Sequence, residues 1–238
     1  MTQRISIIIP ILNEAENITN LLQHLTGHSK PENIAEIIVV DGGSIDGSQD
    51  IVGLFINSGI SKPNIQLLSS LKGRAKQMNL GAAAASGSVL YFLHADSFPP
   101  KNFDQLIIDE IQKEQLAGCF KMRFNSNHWW LQLASWLTQF SWRACRGGDQ
   151  SQFIYKKLFN EIGGFNEEFI IYEDNDLINK LYARKQFVVI QAWLTTSARR
   201  YQTHGIWKLQ YHFWTIYVKK WFGASATELH NYYLKHIA

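Results

Sequence analysis

The chain is predicted to fold as an α/β protein, with a mostly parallel central sheet flanked by helices and a set of aromatic-rich helices at the C-terminal end. Three observations predict this. Short β-branched apolar runs alternate with stretches of helical spacing through the first half. The run at residues 37–40 empties directly into an acidic, glycine-rich turn, IIVVDGGSIDGSQD. Aromatic residues make up 13% of the chain and include eight Trp, and many of them gather in two segments of the second half. Alternating strands and helices imply parallel strands joined by crossover helices.

Taken in order, residues 5–11 form an apolar strand. Asn13 follows as the expected N-cap of a helix, with Glu16 three residues on and Ile18, Leu21, Leu22 and Leu25 at helical spacing. A buried strand over 37–40 delivers Asp41 to its C-terminal end. Gly42 and Gly43 allow a tight turn, and Ser44 or Asp46 can cap a helix from about Ser48. A strand at 65–69, a helix from Arg74 to Ala85 and a strand at 89–93 continue the pattern. That last strand ends in His94-Ala95-Asp96, where strand alternation would point residues 94 and 96 to one side. After Pro99 and Pro100 a helix is expected over 102–115 and a strand around 118–124. The second half is less regular. Gly147-Gly148-Asp149-Gln150 and Gly163-Gly164-Phe165 supply turns suited to shaping an acceptor pocket, and YEDNDL at 172–177 starts a helix with Glu173, Asp174 and Asp176.

The 238 residues suffice for one substantial core, and no repeat or linker divides them. A single domain is expected: a nucleotide-binding half over 1–100, an acceptor and catalytic half over 101–200, and a helical extension over 201–238. With 23 basic against 20 acidic residues, the net charge of +3 is too small and dispersed for a nucleic-acid binder. Cys119 and Cys145 lack C-x-x-C spacing and accompany no signal peptide, which points to reduced thiols and the cytoplasm. No apolar run of about 18 residues is present to span a bilayer. The segments WWLQLASWLTQFSW and IWKLQYHFWTIYVKKWF admit two explanations. They are interfacial helices touching the inner face of a membrane, or helices that pack large aromatics on the core while Lys heads snorkel outward. Nothing in the sequence sets the oligomeric state.

Open α/β sheets bind nucleotides beyond the C-terminal ends of their strands, which is where Asp41 falls. The span from Gly42 to Gly47 has P-loop glycine spacing, but Ser48 stands where the P-loop lysine is required. A dinucleotide fingerprint is also absent, and Asp41 would repel a phosphate, so it suits a base or ribose better. The His94-x-Asp96 pair can hold Mn²⁺ or Mg²⁺ and neutralise a nucleotide diphosphate, although a capped turn before Pro99 explains it equally well. One carboxylate of YEDNDL can serve as a general base, or the acidic residues simply complement the helix dipole.

Seven blocks, SIIIPILNE, IIVVDGGSIDGS, GRAKQMNLGAAAASG, VLYFLHADS, GGDQSQF, LFNEIGGFNE and YEDNDL, resemble in order and spacing the family 2 glycosyltransferases of GT-A fold, over residues 4 to about 190. The chain looks most similar to a short, stand-alone bacterial subgroup with GRA-x-QMN-x-GA and FLHAD motifs, labelled arsenosugar-biosynthesis-associated or carotenoid-acid glycosyltransferases. The resemblance implies a nucleotide-sugar donor, a divalent cation (Mn or Mg), and a small-molecule or lipid-like acceptor. It implies donor contacts from Pro10, Asn13 and Glu14, base contact from Asp41 beside Gly43 and Ser44, and further donor contacts from Arg74 and Gln77. Asp96 matches the last Asp of the D-x-D metal motif, Asp174 the family's general base, and Glu173 its partner. Gly148, Asp149 and Gln150 lie on the acceptor side.

Two departures bear on these roles. His94 replaces the first Asp of D-x-D, which leaves open whether it touches ribose or metal. The processive members' Q-x-x-R-W is replaced by Ser197-Ala198-Arg199-Arg200-Tyr201, which favours transfer of a single sugar and offers Arg199 and Arg200 as cations for the diphosphate. The expected activity is inverting transfer from a nucleotide-diphosphate sugar, most simply a UDP-sugar, to an acceptor hydroxyl. One alternative is a nucleotidyltransferase, but its basic, glycine-rich first loop is replaced here by the acidic, glycine-free ILNEAEN. Another is an inactive nucleotide-sugar-binding protein, which the presence of both Asp96 and Asp174 disfavours.

Overall fold

A computed structural model describes residues 3–58, 63–147 and 150–237. The strands are β1 (Ile5–Ile11), β2 (Ile34–Asp41), β3 (Asn64–Ser69), β4 (Val89–Phe92), β5 (Ser97–Phe98), β6 (Ala117–Phe124), β7 (Gln152–Tyr155) and β8 (Val188–Thr196). They form one sheet in the order β3-β2-β1-β4-β7-β6-β8-β5. Pairing is parallel from β3 through β4 and between β6 and β8, whereas β7 runs antiparallel to both neighbours and β5 antiparallel to β8. The mostly parallel sheet expected from the sequence is therefore present, with two short antiparallel strands that the sequence did not announce.

Strand alternation builds the layers. Ile5, Ile7, Ile9 and Ile11 of β1, with Ile37 and Val39 of β2 and Tyr91 of β4, face one side. There they meet α1 (Ala15–His28), α2 (Ser48–Asn57) and α4 (Phe103–Gln112) through Ile18, Leu21, Val52, Phe103 and Ile107. The intervening Ile8, Ile38, Val40, Leu90 and Phe92 face the other side. They are covered by α3 (Arg74–Ala84), α6 (Lys156–Glu161) and α7 (Glu173–Ala183). A separate cluster joins α5 (Trp129–Leu137), α8 (Arg199–His204), α9 (Ile206–Trp221) and α10 (Ala226–His236) through Leu131, Tyr201, Leu209, Ile216 and Leu229.

Two local expectations need correction. Asn13 is not the N-cap of α1; that position is Glu14, and Asn13 takes a left-handed conformation at φ 56°. The loop before α2 and the first residue of that helix occupy the free amides instead, since Ser44 Oγ, Ser48 Oγ and Asp46 Oδ2 accept from the amides of Asn13, Glu14 and Ala15 at 2.9–3.0 Å. The cap is supplied across the sheet edge, which leaves Asn13 Oδ1 to accept from Ile45 N at 2.9 Å. Strand alternation likewise does not place His94 and Asp96. β4 ends at Phe92, and Ser97 N donates to His94 O at 3.1 Å, closing a turn that lets β5 reverse onto β8.

Helix α3 lies against β1 and β2 at Gly81, where a Cβ would stand 2.5 Å from Ile8 Cγ2 and 3.2 Å from Val40 Cγ2. Ile8 is fully buried, so it cannot swing aside. Gly81→Ala gains about 1 kcal/mol of helix propensity but overpacks this contact at about 1–3 kcal/mol. A net loss of stability is expected in urea unfolding, and a more stable variant would contradict the close approach.

Candidate active site

The parallel strands end in register, with Ile11 beside Asp41 and Asp41 beside Ser69. Gly42 N donates to Ile11 O at 3.0 Å, and Gln77 Nε2 donates to both Ile11 O and Val40 O at 2.8 Å. Gln77 is buried, with its Nε2 shared between these carbonyls. Its Nε2 braces the floor of the cleft where donor contacts were expected from it. Gly42 lies close above it, where a Cβ would stand 3.0 Å from the Gln77 amide and press on it.

The carboxylate of Asp41 accepts from the amides of Gly43 and Ser44 and from Gln49 Nε2 at 2.6 Å. Burial pushes its pKa up, but these donors more than offset that and hold it below the ordinary Asp value. Asp41 is thus a fixed anion at the strand end, and in this state it also shapes the turn. Pro10 is the penultimate residue of β1 and pairs with Val40. Glu14 presents Oε1 to Arg199 at 3.5 Å while Oε2 accepts from Asn17 Nδ2 at 2.6 Å. Arg199, distant in sequence, is therefore brought beside the first loop.

Helix α7 starts abruptly. Tyr172 takes φ 78°, a conformation that costs a bulky residue about 1–3 kcal/mol, and Glu173 follows fully buried. Glu173 Oε1 lies 2.6 Å from Arg74 Nε of α3. Burial raises its pKa to about 7, against the pull of Arg74 and with a further push from the neighbouring Asp174; His94 is close enough to lower it. Asp174 is buried beside it, and Arg143 pins the same turn by donating to Asn175 O and Oδ1 at 3.2 and 3.1 Å. Asp176 turns away to pair with Lys180 at 3.2 Å. Arg74, His94, Glu173 and Asp174, from three separate segments, thus meet at one edge of the sheet.

Asp96 lines a small cavity of about 30 Å³ with Thr196, Arg200, Leu209 and Phe213. Arg200 donates to Tyr233 Oη at 2.6 Å and lies over the Phe213 and Tyr233 rings. Among the described residues no three metal-binding side chains cluster. The hard carboxylate oxygen of Asp96 is a donor of the kind Mg²⁺ or Mn²⁺ takes, and an ion that also binds phosphates needs only one or two protein ligands.

On the expected acceptor side, Gly148 and Asp149 lie outside the described residues. Gln150 is buried, with Oε1 accepting from Arg146 Nη1 at 3.0 Å and Nε2 donating to Cys145 O at 2.9 Å, so it supports the loop from beneath. The sequence offered no sign of Arg146, a buried cation that also donates to the carbonyls of Thr138 and Phe140 and to Cys119 Sγ. The Gly163-Gly164 turn docks on α3 rather than on the cleft, through Asn79, which bonds both Phe165 N and Phe165 O.

Residues 6–166 match the model of the glycosyl transferase family 2. Two curated relatives are glycosyltransferase AglE of Haloferax volcanii and the undecaprenyl-phosphate 4-deoxy-4-formamido-L-arabinose transferase of Yersinia pestis. AglE is 36% identical over 95 residues, 40% of this chain and 31% of its own length. The Yersinia pestis protein is 32% identical over 107 residues, 44% of this chain and 33% of its own. The chain thus spans about a third of each. Among solved structures, the Pyrobaculum calidifontis mannosyltransferase PcManGT in complex with GDP-Man and Mn²⁺ superimposes with TM-score 0.72 at 17% identity, covering 98% of this chain and 70% of that one. S. aureus TarS in complex with UDP gives TM-score 0.65 at 19% identity, covering 82% and 60%. The fold is the GT-A fold, and with two thirds of its length matched, the chain belongs to glycosyl transferase family 2.

Proposed function

We propose that the chain is an inverting glycosyltransferase that moves one sugar from a nucleotide-diphosphate sugar, a UDP-sugar in the first instance, to the hydroxyl of a small or lipid-like acceptor. The observation that carries this is the meeting of Arg74, His94, Glu173 and Asp174 at the strand ends where Asp41 also sits. The short arsenosugar-associated subgroup is the proposed neighbourhood within the family, on its GRA-x-QMN-x-GA and FLHAD motifs.

Asp174 accepts the proton of the acceptor hydroxyl. The acceptor oxygen then attacks the anomeric carbon from the face opposite the diphosphate, and the bond from that carbon to the diphosphate oxygen breaks. Asp41, with the loop of Pro10, Asn13, Glu14, Gly43 and Ser44, orients the nucleoside. Arg74, Arg199 and Arg200 offer cations to the diphosphate, and Glu173 sets the position of Arg74. A divalent cation held by Asp96 and His94 supplies charge neutralisation of the leaving group when bound.

Asp174→Asn is expected to lower transfer about 10²- to 10⁴-fold with unchanged nucleotide affinity, because an amide keeps the volume but cannot take the proton. Near-full activity in this variant with a dead Glu173→Gln would move the base by one residue. Full activity in both would reduce the acidic turn to a dipole complement.

UDP with Mn²⁺ near a hundredfold above Kd should raise Tm by about 5 to 10 °C. EDTA or Asp96→Ala should remove most of that gain, and indifference to both would rule out the metal role.

The Glu173 pKa of about 7 lies above its ordinary value, so the stability it confers is full below about pH 4.5 and is lost as pH rises through 7. Glu173→Gln should accordingly match the wild type near pH 4 and be the more stable of the two near pH 8 in denaturant titrations. The opposite trend would contradict a buried, raised carboxyl.

A further inference from the structure

We propose that α9 and α5 form a docking face for an anionic lipid bilayer. Along α9, Trp207, Tyr211, Trp214, Val218 and Trp221 follow one another at spacings of four and three, and all are 48–85% exposed. The opposite side of the helix buries Leu209 and Ile216 in the core. The helix therefore has two apolar sides, and only one is covered. On α5, Trp129, Leu133 and Trp136 repeat the same spacing and are 40–59% exposed. The two stripes meet where the Trp207 ring lies 5.8 Å from Trp129 and 5.3 Å from Trp130. Phe222, 83% exposed, extends the α9 stripe.

Charge selects the occupant. Neither helix contains a carboxylate, and from Leu177 to Thr227 the chain carries eight Lys and Arg and no Asp or Glu. Lys208 and Lys219 are exposed on α9 itself. Two copies apposed through this face would bring like charges together. An anionic membrane answers both features, because indole and phenol rings settle at the headgroup level while lysines meet lipid phosphates. α9 is too short and polar to cross a bilayer, and no described helix qualifies, so it lies along the surface. Its inner side, through Leu209 and Phe213, borders the cavity that holds Asp96. The bilayer would thus lie about one helix diameter, roughly 10 Å, from the proposed metal ligand.

The test is vesicle flotation of the purified chain with phosphatidylglycerol–phosphatidylcholine vesicles and with phosphatidylcholine alone, together with quenching of Trp emission by brominated phosphatidylcholine mixed into the anionic vesicles. Binding and quenching are expected on anionic vesicles at low salt, with release at roughly 0.5 M NaCl. Trp221→Ser/Phe222→Ser and Lys208→Glu/Lys219→Glu should each weaken binding about tenfold or more while keeping the wild-type Tm and nucleotide affinity. Absent binding, binding without Trp quenching, or binding unaffected by either pair would overturn the proposal. So would a dimer in light scattering that Trp221→Ser/Phe222→Ser converts to monomer, since the face would then join two copies. Intact nucleotide binding in a protein that ignores vesicles would remove the docking face and leave the transferase proposal standing.

Discussion

A parallel sheet leaves unpaired backbone groups where its strands end, and the way this chain satisfies them builds the cleft. At the ends of β1 and β2 the carbonyls of Ile11 and Val40 are both taken by Gln77, while the amides that follow Asp41 turn back onto its own carboxylate. The free amides at the start of α1 are met by Ser44 and Asp46 from the next loop and by Ser48 at the start of α2. Two loops that a ligand could otherwise displace are laced into one rigid rim. A positioned rim loses little conformational entropy when it meets a ligand.

Opposite that rim the structure spends stability. A bulky residue at positive φ, a fully buried carboxyl and a second buried carboxylate beside it are each unfavourable alone. They stand together at the first turn of α7, held by Arg74 from α3 and by Arg143 from the segment after α5. Burial and neighbouring charge set the proton affinity of a carboxylate, which suits this turn to the base proposed at Asp174. Helix-dipole complementation accounts for acidic residues at this position, but not for the left-handed Tyr172 or the full burial of Glu173 beside a second carboxylate.

The first half of the fold was legible because its signals are local. Apolar runs followed by helical spacing locate β1 to β4 and α1 to α4, with ends that differ by up to three residues in β2 and α4 and with β5 missed, while Asp41 and Asp96 stand out from their surroundings in sequence and Asp174 only through the family resemblance. What could not be seen were the parts decided by distant partners. Asn13 has the chemistry of a cap, yet the capping groups come from residues 44–48. Gln77 sits in a motif suggestive of ligand contact, and nothing near it in sequence shows that its Nε2 bridges two strand ends. β7 has four residues and is strand only because β4 and β6 flank it. Arg146 lies in RACRGG, where nothing distinguishes a buried cation from a surface one.

The central claim is tested most directly by mass spectrometry of the purified protein incubated with a panel of UDP- and GDP-sugars and Mn²⁺, with and without candidate acceptors. The account predicts that one donor is consumed with release of its nucleoside diphosphate and appearance of free or transferred sugar. Release of pyrophosphate or a nucleoside monophosphate would instead mark nucleotidyl chemistry, and a panel that is bound but left intact would mark a binding protein; either result contradicts it.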